Sequence, residues 1–303
     1  GYYKEYDDRG RLLVTLLYDN GKMTGTEIDN SAEIEIKNRY DDSGKLIYSG
    51  PFKEEVPVGI HREYNADGTI KNARIYNDNG VLVSEGIVDS DGNRNGPWKD
   101  FSADGVLVAE GSYYDNRRSG EWKFYNADGK LEQAGSYYNG RIDGTWRWYY
   151  PGGELLREED YYQGKRDGNY TEYSRAGEII AQGAYAEGER NGEWKITTGD
   201  NTEEGEYFLG LRNGEWRSYY NDGKLRFRGS YKQGNPDGRH LYYYENGRTR
   251  EERYYKNGFR TRTWKKFNET GEVFLTITYR DDVETSINGV AVNLPESSVR
   301  RIK

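Results

Sequence analysis

The side chains best able to do chemistry are scarce or scattered in this chain. There are two histidines, His61 and His240, far apart in sequence, and no cysteine. Nucleophilic catalysis needs an imidazole paired with a serine or thiol and oriented by a third polar group. Neither pairing can be assembled from these residues. A zinc site needs several nitrogen or sulfur ligands converging at short spacing, which two separated imidazoles do not supply. Carboxylates are plentiful: Asp7-Asp8, Glu54-Glu55, Glu158-Glu159-Asp160, Glu203-Glu204 and Asp281-Asp282. Paired acids hydrolyse glycosides where a pocket raises the pKa of one of them, but acids spread over turns and strand surfaces are solvated. Asp89-Ser90-Asp91-Gly92-Asn93 is as oxygen-rich as a calcium loop, yet its glycine comes too early for an EF-hand. A tight turn is the better reading. The sequence therefore predicts no catalytic residue, no metal and no cofactor.

A more regular signal is basic. Arg118, Arg141, Arg166, Arg190, Arg212 and Arg260 each fall 20–22 residues after one of a series of glycines. A row of this kind can pair with neighbours such as Glu121, Glu193 and Glu215, which also blunts edge-to-edge aggregation. Alternatively it is a basic stripe for an acidic protein partner, and these six residues are the candidate partner-binding set.

What positions them is a repeat. Glycines followed by a large aromatic two residues later recur at Gly96/Trp98, Gly120/Trp122, Gly144/Trp146, Gly168/Tyr170, Gly192/Trp194 and Gly214/Trp216. The interval is 24 residues, with one step of 22, and Trp264 keeps the phase. The unit reads G-x-W-x-x-Y-x-x-x-G-x-L-x-x-x-G-x-Y, followed by polar residues. His61 and His240 fall in the Trp slot and read as degenerate repeat aromatics. Trp98, Trp122, Trp146, Trp194, Trp216 and Trp264, with Tyr113, Tyr137, Tyr185 and Tyr231, form the expected core. Such self-similarity marks stacked units that each bury little alone.

Each half-unit carries six to eight residues rich in Tyr, Trp, Val and Thr, bounded by Asn, Asp and Gly, which is a hairpin signature. Asn126-Ala127-Asp128-Gly129 suits a type I turn ending on a left-handed glycine. Asn139 to Gly144 reads as a second, longer connection. The fold class expected is all-β: an elongated, twisted antiparallel meander of ~24-residue hairpin repeats, each strand adding ~4.8 Å. Trp122 and Tyr125, three apart, face opposite sides of a regular strand. One dense face lined by Trp and the later Tyr is expected, with the other Tyr row partly exposed. The array covers residues 1–280, with an insertion at about 26–34, a half-unit slip at about 70–95, and a non-repeat tail over 281–303.

Composition agrees with a shallow, distributed core. Of 303 residues, 34% are hydrophobic and 32% charged, yet there are 30 Tyr, 7 Trp and 8 Phe, and disordered chains are poor in aromatics. A net charge of −8 argues against counterion-releasing contact with nucleic acid and against bulk-charge docking on anionic membranes. No apolar run reaches the ~20 residues of a membrane span.

The repeat resembles the bacterial variant of the MORN repeat, whose long arrays often carry the name of YwqK-type antitoxins. The resemblance covers roughly residues 1–280 and implies an elongated β-sheet that mediates protein contacts, some such arrays being associated with phospholipids. The function expected is a non-catalytic protein-binding scaffold in a larger assembly. Alternatives are a glycan- or wall-binding repeat protein, since Tyr and Trp rows stack on sugar rings, and a toxin-neutralising protein. The first residue being Gly1, the absence of Cys and the Tyr-, Asn- and Gly-rich repeat set the expectation of an extracytoplasmic location: periplasm, outer membrane or cell surface.

Overall fold

The computed structural model describes residues 34–89 and 92–292, together with the backbone of the strands Tyr2–Tyr6, Leu12–Asp19 and Lys22–Glu27. The chain forms two compact units, Gly1–Glu154 and Leu155–Lys303. Among the described residues there is no helix; both units are antiparallel meanders in which each strand pairs with the next along the chain. The sheets are open. Among the described residues Ile34–Tyr40 pairs only with Leu46–Lys53, and Val290–Ala291 only with Val283–Ile287. The three strands before residue 28 form a separate small sheet.

Two kinds of turn alternate along most of the array. At Asn126–Lys130 the Asn126 N–H donates to the Lys130 carbonyl and the Gly129 N–H to the Asn126 carbonyl, both at 2.9 Å. The Asn126 side-chain oxygen accepts from the N–H groups of Asp128 and Lys130, and Gly129 has φ +73°. This is the expected type I turn with its left-handed glycine. The connection expected to be long is not. Asn139 and Gly140, at φ 51° and 77°, make a two-residue turn, and the strand Arg141–Tyr149 starts at once. Positive φ at both residues is the hairpin geometry that matches strand twist, and Asn-Gly is its strongest signal. The polar run Arg141–Gly144 is therefore strand, not loop. Consecutive hairpins are tied there: the Gly140 N–H donates to the Arg118 carbonyl at 3.0 Å, and the Gly234 N–H to that of Arg212 at 2.9 Å.

The half-unit slip has a geometric consequence. Four type I turns follow one another, at Asn65, Asn77, Asp89 and Ser102. Turns of a meander alternate between its two edges, so the tight turn at Glu54-Glu55 and those from Asp115 onward lie on opposite edges of the first unit. The Asp89 turn has the same hydrogen bonds as the others; Ser90 and Asp91 lie outside the described residues. So do residues 28–33 of the insertion and 293–303 of the tail. The tail's first part continues the sheet, with Val283–Ile287 paired to Val273–Arg280.

Candidate interaction surface

The inner face of the repeat is an aromatic ladder built on missing side chains. Where Leu107–Tyr114 meets Arg117–Tyr125, Glu110 pairs with Lys123 and Ser112 with Ser119. Gly111 thus faces three residues, Gly120-Glu121-Trp122, which bulge out (Gly120 φ +66°) and swing the indole across it. A Cβ on Gly111 would lie 2.3 Å from Trp122 Cδ2. The indole Nε1–H donates to the Ser112 carbonyl at 2.9 Å, so the buried ring leaves no polar atom unmatched. Trp146, Trp194 and Trp216 repeat this on Gly135, Gly183 and Gly205. Tyr113 and Tyr137 stand edge-on between successive indoles, Tyr113 at 6.0 Å from Trp98 and 5.0 Å from Trp122. Trp98, Trp122, Trp146, Trp194 and Trp216 are buried; Trp264, Tyr113, Tyr137, Tyr185 and Tyr231 are half-buried.

Five of the six candidate arginines point into this ladder. The guanidinium carbons of Arg118, Arg190 and Arg212 lie 4.4, 4.4 and 4.1 Å from the ring centres of Trp122, Trp194 and Trp216. Arg118 and Arg190 also donate to the Tyr137 and Tyr207 hydroxyls at 3.2 Å. Arg166 stacks on Tyr185 and Arg260 on Tyr279, with Asp282 beside Arg260 at 3.1 Å. Cation–π contact of this kind stabilises by ~0.5–2 kcal/mol. Among the described residues these arginines do not pair with Glu121, Glu193 or Glu215; Glu215 pairs with Arg217. Arg141 differs. Ile142 takes the inward position opposite Tyr137, and Arg141 faces solvent.

The outer face carries the other tyrosine row. The Tyr125 hydroxyl donates to Glu110 and that of Tyr219 to Glu204, both at 2.6 Å; burial, helped by that carboxylate, pushes Tyr125 up to about 12. Trp122 and Tyr125 do face opposite sides. A third set of aromatics is exposed at the tight turns, with Tyr114 72%, Tyr138 65% and Tyr162 63% accessible. These were missed in the sequence, although the doublets Tyr113-Tyr114, Tyr137-Tyr138 and Tyr161-Tyr162 signal them: the second of two adjacent strand residues must face away from the first.

Two seams break the pattern: at one, Arg253 stands in the glycine position beside Trp264, whose Nε1–H still donates to the Tyr254 carbonyl at 3.1 Å, and at the other both residues change. Glu159 and Tyr170 occupy the glycine and indole positions and pair directly across the strands. Glu159 is 1% exposed. It accepts from the Tyr161 hydroxyl at 2.6 Å, and the Arg166 and Arg157 Nε atoms lie 3.4 and 3.7 Å away. Tyr170 donates to Glu172, and burial raises its pKa strongly.

Both histidines stand in for indoles. His240 lies over Gly229 and its Nε2 bonds the Ser230 carbonyl at 2.7 Å; His61 lies over Gly50 and bonds the Pro51 carbonyl at 2.9 Å. Burial lowers the pKa of each, which keeps the rings neutral and their Nε2–H donating. Neither reaches a surface where it could act as base or ligand. Among the described residues no three His, Asp or Glu side chains gather as a metal site. Two outer-face depressions, of 690 and 620 Å³, lie over the glycine rows and are lined by mixed charges such as Glu193, Lys195 and Arg217 in one and Glu85, Lys99 and Lys123 in the other.

No curated protein matches the chain. Residues 94–116, 118–139, 142–163, 212–233 and 236–257 match the family described as MORN repeat variant. Each match begins at the inward position held by Arg94, Arg118, Ile142, Arg212 or Pro236, and runs through one type I turn to the next tight turn. In these five segments the aromatic hairpins of this chain are similar to MORN repeat variants.

Proposed function

We propose that this chain is a non-catalytic scaffold that binds protein partners, within a larger assembly at the cell envelope. The observation that carries the reading is a second use of aromatic and apolar side chains. One set in each repeat fills the core, while another stands in water at the tight turns: Tyr114 and Tyr138 in the first unit, and Tyr162, Phe208, Leu209 and Leu211 in the second. Tyrosine and other aromatics are enriched where protein interfaces carry their energy. Leu209 adds to the argument. Its φ is +49°, a region costly for a bulky apolar side chain, and the matching turn residues Asp115, Asn139, Gln163, Glu187, Gln233 and Asn257 are polar. Local strain that displays an apolar side chain supports a role outside the fold.

Chemical cross-linking in the cells of origin tests this. Partner peptides should map to the tight-turn edges. Replacing Phe208, Leu209 and Leu211 together by Asn should abolish the second unit's links without lowering the melting temperature. Cross-links within the array alone would overturn the reading. The envelope part is tested separately by fractionation: a full-length product that begins with Met and the repeat, stays in the cytoplasm and has no leader would remove it.

A further inference from the structure

Tyr114 and Arg117 are opposite each other across one tight turn, and Tyr138 and Arg141 across the next. Opposed residues share a face, here the outer one, because Tyr113 and Arg118, Tyr137 and Ile142 take the inner positions. The two turns touch: a Cβ on Gly140 would lie 3.6 Å from the Arg117 Cβ. All four side chains are exposed. Arg117 and Arg141 have no carboxylate within ion-pair distance among the described residues, whereas Lys165, at the same position after the next tight turn, is paired with Glu187 at 2.8 Å. The acids beside the four are Asp115, exposed at the first turn's tip, and Asp143, half-buried and already engaged within the fold. Two unpaired guanidiniums next to two exposed phenol rings, in a chain of net charge −8, suit a ligand of opposite sign.

The spacing suits a ligand that repeats every three residues. Corresponding residues of the two hairpins are two strands apart, about 9–10 Å at ~4.8 Å per strand. A polyproline II segment rises ~3.1 Å per residue and returns to the same side every third residue, about 9.3 Å. A β-strand puts every third residue on the opposite face, and an α-helix advances only ~4.5 Å in three residues. Phenol rings flanking such a segment suit proline, as aromatic-lined grooves do in general. We propose that Tyr114, Arg117, Tyr138 and Arg141 form a docking site for an acidic protein segment in polyproline II conformation, with a carboxylate at every third residue. The site deepens the scaffold reading and rests on it.

The probe is a fluorescein-labelled peptide of four Glu-Pro-Pro triplets, read by anisotropy on the intact chain. The control has the same composition with its glutamates clustered at one end. The periodic peptide should bind at least tenfold more tightly than the control. The double variant Arg117→Glu/Arg141→Glu should weaken it at least tenfold, and Tyr114→Ser/Tyr138→Ser severalfold, with melting temperature and tryptophan emission unchanged. Equal binding of the two peptides, undiminished binding to the charge-reversed variant, or displacement by phosphatidylglycerol vesicles, which would make a bilayer the occupant, each overturns the site. If the peptide fails but cells still yield partner cross-links at Phe208–Leu211, this inference falls and the scaffold reading stands. If both fail, both fall.

Discussion

Between Leu107–Tyr114 and Arg117–Tyr125 an indole lies flat across Gly111, its N–H on a backbone carbonyl and an arginine on its far side. Between Leu155–Tyr162 and Lys165–Tyr173 the same two positions hold Glu159 and Tyr170, paired through a different register. Comparing them shows what the in-strand glycine is for. Gly111 is not among the residues with positive φ, so its conformation is open to any residue, and the need is for space. At this seam a side chain occupies the slot, the ring on it is no longer an indole, the bulge moves by one residue to face Asp160, and polar groups fill what the indole filled. At Arg253 the slot is also filled, yet Trp264 stays, half-buried, with the guanidinium 5.2 Å from its ring centre. Glycine and a fully buried indole thus go together, at two positions eleven residues apart in sequence, as Gly111 and Trp122 are.

The largest effects should come from breaking that choice at a regular seam. Trp122→Ala should cost ~3–5 kcal/mol, a buried aromatic lost with its cavity. Gly111→Ala should cost ~1–3 kcal/mol by overpacking, although an unobstructed strand glycine gains ~0.5–1 kcal/mol on becoming alanine. The sign is the test. Urea unfolding that shows Gly111→Ala neutral or stabilising would mean that the indole yields and that the glycine is not the seat described above.

A smaller effect belongs to the Glu159 seam. Glu159→Gln leaves Arg157 and Arg166 facing a neutral group and should cost ~1–3 kcal/mol, at the low end because both arginines are partly solvated. Glu159→Gly with Tyr170→Trp restores the regular pair. Replacing a buried ionic cluster by packed apolar groups is neutral to stabilising by ~1–4 kcal/mol, so the double variant should be at least as stable as the parent while each single change is worse. Additive single effects in a double-mutant cycle would show that the two positions are not coupled.

Much of this architecture was legible in the sequence, for reasons that can be named. Period and phase identified the strands, the Asn126 turn and the buried Trp row, because a stacked repeat must bury the same positions each time. The inward or outward sense of the arginines was not legible from spacing alone. Arg117 and Arg118 are adjacent and both basic, as are Lys165 and Arg166, and the length of the preceding turn decides which faces Trp122. Reading Asn139-Gly140 as a two-residue turn fixes the parity of everything after it: Arg141 outward, Ile142 inward. Glu159 and Tyr170 were visible as departures from the unit, but their pairing with each other required the register. The separation of the chain into units at Glu154 had no signal in composition at all.

The smallest effect sharpens the comparison from the side of the ring. Trp122, Trp146, Trp194 and Trp216, like His61 and His240, place a ring N–H on the carbonyl that follows the seat glycine, but only the imidazole titrates. In the folded chain burial holds His240 below the ordinary histidine value of 6.5, whereas the unfolded chain takes up a proton at about that value. Between the two values the unfolded state binds more protons, so folding stability falls as pH drops through this window. Above it the histidine is neutral in both states and has no effect. The slope from one site cannot exceed ~1.4 kcal/mol per pH unit. His240→Trp should therefore leave stability near pH 8 the same or higher and flatten part of its decline below pH 6.5. His61, lowered by burial in the same way, should account for a further part in His61→Trp. Chemical denaturation measured at several pH values reads both. A decline just as steep in the double variant would assign the acid sensitivity to the carboxylates, and the two imidazoles would then be titrating alike in the folded and unfolded chain.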